Sequence, residues 1–131
     1  YSETQILREV YNITLNTFPK SSEEEVQTVL RKYKVGEDQK VALDVFIREG
    51  VGVCRHKALL AGVLLEKLIK DGYLKGKVSV DRNSDLRGGH AWVRYTSPTG
   101  KVYILDASLH WVGLLEDGVK LGIWNYKRPN E

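Results

Sequence analysis

The sequence predicts an α+β chain, helical in its first half and an antiparallel sheet in its second. Three observations lead there. Up to Gly50 the apolar residues recur every three or four positions. Residues 58–69 are apolar on nearly every face, as in a helix buried at the centre of a fold. Beyond Gly72 the apolar period switches to two. At 131 residues the chain is read as one domain, 1–131, long enough to bury a core.

The first helix is expected from Thr4 to Phe18, with Ile6, Leu7, Val10, Tyr11, Thr14, Leu15 and Phe18 on one face and Pro19 ending it. SSEEE then offers two overlapping capping boxes, Ser21 with Glu24 and Ser22 with Glu25. A second helix follows to about Lys34, with Val26, Val29, Leu30 and Tyr33 as its stripe and Gly36 as its stop. Asp38 is a cap for a third, with Val41, Ala42, Val45 and Phe46 inward and Gly50 closing it. The central helix runs from about Val53 to Asp71-Gly72.

Val78 and Val80 mark a short strand, followed by a polar loop, DRNSDLRGG. HAWVRY and KVYILD read as two strands joined through the SPTG turn. In LLEDGVKL, Asp117-Gly118 is a hairpin signal.

Composition narrows the function classes. No stretch is long and charge-free enough to span a bilayer, since Lys67 and Lys70 interrupt the best candidate. The formal charge of +3 is uneven: residues 53–131 hold thirteen Lys/Arg against eight Asp/Glu, a net of +5. No dense basic run with interleaved aromatics accompanies that excess, so nucleic-acid binding is not expected. A single cysteine makes no internal disulfide and mildly favours a reducing compartment such as the cytoplasm. The start at Tyr1 and the absence of methionine suggest a domain excised from a longer parent, which could be a secreted one.

That cysteine raises the functional question. Cys54 falls in the first turn of the central helix, after Gly50 and Gly52. The first N–H groups of a helix are unpaired and lie at the positive end of its dipole, a place that stabilises a thiolate. A free cysteine is also commonly just a small buried hydrophobe. The strands tip the balance. If Thr96–Gly100 is a five-residue loop, Tyr95 pairs with Lys101, and His90 falls directly opposite Asp106 on one face. Thiol, imidazole and carboxylate then all stand at element ends.

The segments GVCRHKALLAGVLLEKL, GGHAWVRY and YILDAS resemble the transglutaminase-like superfamily of papain-fold cysteine enzymes. The resemblance covers roughly residues 50–108, with 36 residues from Cys54 to His90 and 16 from His90 to Asp106. It implies a papain-like core and a catalytic triad: Cys54 as nucleophile, His90 as general base and then acid, Asp106 orienting the ring. Arg55 follows Cys54 where animal transglutaminases carry an aromatic residue, and no tryptophan precedes it. The chain therefore looks closer to bacterial members. The Cys54 N–H is a first oxyanion donor, with the second unassigned, and no calcium dependence or other cofactor is implied.

The implied activity is acyl transfer on protein amides through a thioester, as a transglutaminase or glutamine deamidase. The partners are a protein substrate, offering a glutamine side chain or a peptide bond, and an amine acceptor. A cysteine protease of the same fold and an inert interaction domain are the alternatives. Trp92 and the DRNSDLRGG loop are either walls of the substrate groove or, for Trp92, packing against the central helix; His110 and Trp111 are further cleft candidates. A metal site built from Cys54, His56, His90 and His110 is disfavoured, because Cys54 and His56 point about 200° apart on a helix and no CxxC or HxxxH pair exists.

Overall fold

The computed structural model describes residues 2–33 and 43–131. Among them are five helices and four strands: α1 (Glu3–Thr17), α2 (Glu23–Lys32), α3 (Leu43–Glu49), α4 (Cys54–Lys70), β1 (Lys77–Asp85), β2 (Gly88–Thr96), β3 (Val102–Asp106), β4 (Trp111–Leu114) and α5 (Leu115–Lys120). The strands form one antiparallel sheet in the order β1-β2-β3-β4. No helix is long and apolar enough to cross a membrane among the described residues.

A capping box that the sequence analysis did not find opens α1. The Ser2 hydroxyl accepts from the Gln5 N–H at 3.3 Å, and the Gln5 Oε1 accepts from the Ser2 N–H at 2.8 Å. Of the two boxes in SSEEE, Ser22 is the one that caps α2, accepting from the Glu25 N–H at 3.1 Å. Val26 and Val29 are buried, while Tyr33 falls off the stripe and is exposed. Lys34, the Gly36 stop, the Asp38 cap and the inward Val41 and Ala42 lie outside the described residues.

Gly50 ends α3 in the left-handed region, φ 68°, where a side chain would be strained. The chain then runs beside α1's exit: the Lys20 N–H donates to Gly50 O at 3.0 Å and the Gly52 N–H donates to Lys20 O at 2.9 Å. Gly52 has no room for a Cβ, which would stand 2.6 Å from the Phe18 ring. This tether fixes where α4 begins, and therefore where Cys54 stands.

α4 packs on α1, α3 and three strands, but it is not enclosed all round: Leu59 is 48% exposed and Val63 is 58% exposed. The expectation of a helix buried on every face is corrected to that extent. Leu7, Val10, Ala61, Leu65, Val93 and Tyr95 share the main core between α1, α4 and the sheet. A second cluster joins Phe18, Val26, Val29, Phe46 and Leu60. Strand alternation sends Trp92 and Ile104 to the other face, into a third cluster with Leu115, Trp124 and Tyr126. Trp92 thus packs neither against α4 nor in the main core.

Three further expectations change. The polar DRNSDLRGG segment is not a loop: β1 continues through it to Asp85, and Leu86-Arg87 alone makes the turn into β2. Its polar residues are held by other parts of the chain, with Arg128 on Asp81 and Asn125 O on Asn83. The β2–β3 register is displaced by two residues, so that Tyr95 pairs with Tyr103 and not with Lys101. The cause is a tighter turn. The Ser97 N–H donates to Lys101 O at 2.8 Å, leaving Pro98, Thr99 and Gly100 as a three-residue loop whose glycine sits at φ 90°. Finally, Asp117-Gly118 lies inside α5, not in a hairpin.

Candidate active site

Cys54 is the first residue of α4, with extended Val53 as its N-cap. Its own N–H has no intrahelical acceptor. His90 is buried in β2, and Asp106 closes β3 at 1% exposure. Although the register is displaced, a slip of two preserves the face, so His90 and Asp106 remain neighbours. The His90 Nε2 lies 2.5 Å from Asp106 Oδ2. Cys54 lies near enough to the same imidazole for the two groups to shift each other's pKa. The structure brings all three sequence-predicted residues together.

Their charges reinforce one another. The interaction with His90 is the largest influence on Cys54 and lowers its pKa; burial opposes it, and the backbone N–H groups of Ala91 and Arg55 add to the lowering. For His90, burial alone would depress the pKa, but the hydrogen bond to Asp106 and the pull of Asp106 and Cys54 outweigh it and raise it to about 9. Each group therefore favours the charged form of the other, a thiolate beside an imidazolium.

Asp106 has no rotational freedom left. Its Oδ1 accepts from the Leu109 N–H at 3.1 Å, and its Oδ2 accepts from the Tyr126 hydroxyl at 2.7 Å as well as meeting His90. Burial and the Asp106 charge push the Tyr126 pKa up, so the phenol is a neutral donor. The Trp124 ring lies 4.8 Å from that of His90, and the Trp124 Nε1 donates to Asn83 Oδ1 at 2.6 Å. Lys57, one turn after Cys54, is buried with no ion-pair partner among the described residues. Burial lowers its pKa, against the charges of Cys54 and Asp106.

Sequence reasoning missed Lys57, Asn83, Trp124 and Tyr126. Lys57 carried a signal, since i+3 from Cys54 is the same helix face. Tyr126 carried none, because no spacing rule ties it to Asp106.

Other sequence candidates stand elsewhere. Arg55 turns away to α2 and pairs with Glu23 at 2.5 Å. His56 accepts from the Val53 N–H through Nδ1 at 3.0 Å and packs between Phe18 and Phe46, so it does not join Cys54 as a ligand. His110 occupies a left-handed turn, φ 56°, before β4. Trp111 stacks on Tyr126 at 5.9 Å, behind the sheet with Trp92. Among the described residues, no group of three or more His, Cys, Asp and Glu side chains is placed to hold a metal ion.

No protein-family model, curated protein or solved structure matches the chain.

Proposed function

We propose that this chain is a cysteine-dependent acyltransferase acting on protein amides, with a transglutaminase-like, papain-like core. The single observation that supports it is His90 hydrogen-bonded to a buried carboxylate and electrostatically coupled to the thiol at the start of α4. The sequence resemblance supplies the substrate class.

In this reading the Cys54 thiolate attacks the carbon of a glutamine carboxamide. A C–S bond forms, and the carbonyl oxygen gathers negative charge near the Cys54 N–H at the start of α4. As the intermediate collapses the C–N bond breaks, and imidazolium His90 gives its proton to the departing nitrogen. Ammonia leaves, and a thioester remains on Cys54. Now neutral, His90 takes a proton from the incoming nucleophile as that nucleophile attacks the thioester carbon. The C–S bond breaks and thiolate and imidazolium are restored. A lysine amine yields an isopeptide, a small amine a modified glutamine, and water a glutamate.

The test offers the chain a glutamine-rich protein with a labelled primary amine, following ammonia release, amine incorporation and peptide cleavage together. Ammonia release with incorporation or deamidation is expected, reduced about 1,000-fold or more in Cys54→Ala. Peptide cleavage in place of ammonia release makes the chain a protease. Equal behaviour of wild type and Cys54→Ala in all three assays overturns the reading.

A further inference from the structure

The eleven residues after α5 form neither helix nor strand, yet Tyr126 is fully buried and Trp124 nearly so. Irregular segments ordinarily run over the surface, where water satisfies the backbone. Here the segment is tied down on the sheet face away from α4. The Asn83 Nδ2 donates to Asn125 O at 2.9 Å. Arg128 bonds Asp81 at 2.9 Å and Ser79 at 3.0 Å. Glu131 receives the buried Arg94 guanidinium, with one contact at 2.7 Å.

Two aromatic side chains of this segment end on the proposed triad. The Tyr126 hydroxyl donates to the same Asp106 oxygen that meets His90. Trp124 lies against the His90 ring at 57°, itself backed by Arg87 at 4.1 Å. We propose that Tyr126 and Trp124 are positioning residues, so that the docked C-terminal segment sets the orientation of Asp106 and His90 and the acidity of the proton His90 delivers. The inference rests on the acyltransferase reading of the triad and adds a control to it.

The argument is one of shared donors. Each hydrogen bond given to a carboxylate stabilises its charge and weakens its pull on a neighbouring imidazolium. With the Tyr126 hydroxyl in place, Oδ2 divides itself between two donors. Without it, Oδ2 serves His90 alone and holds the proton more firmly, so the leaving nitrogen is protonated more slowly. The other groups facing the pair are Cys54 and Lys57 from α4, Asp85 from β1 and Tyr11 from α1. All of them persist when the hydroxyl alone is removed.

The test is Tyr126→Phe in the whole chain, a change that keeps the ring in its place against Trp111 and Trp92. The His90 imidazole is titrated by NMR, Cys54 alkylation is followed against pH, and acyl transfer is assayed. The His90 midpoint is expected to rise by about half a pH unit or more, with alkylation retained and acyl transfer reduced about threefold. Arg128→Gln, which cuts ties remote from the triad, is expected to move the midpoint and the transfer rate in the same directions by less, and decides the matter if Tyr126→Phe does not fold. Titration curves of either folded variant that superimpose on wild type overturn the proposal. NMR and alkylation need no substrate, so they test Tyr126 even in a chain that proves inert in every amide assay.

Discussion

His56 stands two residues after Cys54, and its ring meets that of Phe46 at a centroid distance of 4.3 Å. Its Nδ1 accepts the Val53 N–H, which fixes a neutral imidazole with its proton on Nε2. Burial is the main reason its pKa falls from 6.5 to about 4, with Arg55 adding to the shift and Glu23 opposing it. Because the folded value lies below the unfolded one, the unfolded chain takes up the extra proton as pH falls from 6.5 to about 4. The associated stability is complete above pH 6.5 and is lost progressively down to about 4, a change on the order of 3 kcal/mol. Denaturant unfolding of wild type and His56→Gln across this range checks it. The variant is expected to lose less stability on acidification; parallel curves contradict the assignment. The sequence held this role in plain view, since Val53-x-x-His56 puts an acceptor where a capping box carries Glu or Gln.

At the scale of elements, the helices were legible and the later strands less so. Apolar spacing located α1 and α2, because each has one face against a core and the period of 3.6 survives in the sequence, while a run apolar on nearly every face located α4. The far half of β1 was not legible. Its Asp81 and Asn83 look like loop residues, but they are satisfied by Arg128, Asn125 and Trp124 from about 40 residues away. The β2–β3 register depended on whether the turn spans three or five residues, a choice that parity alone cannot make. α5 was misread because Asp-Gly is a strong turn signal. There Gly118 is required for closeness: a Cβ would stand 2.7 Å from the Trp111 indole and 3.0 Å from the Tyr126 ring. Gly118→Ala, a change that favours an exposed helix by about 1 kcal/mol, is therefore expected to destabilise this protein by about 1–3 kcal/mol. Thermal or denaturant unfolding measures it, and an unchanged or raised stability contradicts the packing described.

At the scale of the whole molecule, the site is a meeting of three elements that the sequence keeps far apart. α4 presents the thiol at its positive end, β2 the imidazole and β3 the carboxylate. The main core holds α4 on one face of the sheet, and the third cluster holds the C-terminal segment on the other. Cys54, His90 and Asp106 were readable because each sits at or near an element end in a local motif. Trp124 and Tyr126 were not, because their link to the site exists only once both faces are packed. Arg87, Arg94 and Arg128 pair with Asp85, Glu131 and Asp81 of the same stretch and leave its positive excess unchanged, whereas Arg55 pairs outside it with Glu23.

The most direct measurement of the coupled triad is the rate of Cys54 alkylation by iodoacetamide against pH, in wild type and in Asp106→Asn. Wild type is expected to react as a thiolate well below the free-thiol pKa of about 8.5, with a second change near 9 as His90 loses its proton. Asp106→Asn is expected to move the acid limb upward, slowing alkylation at pH 6 by about tenfold or more. A single wild-type titration near 8.5, unmoved by Asp106→Asn, contradicts the account.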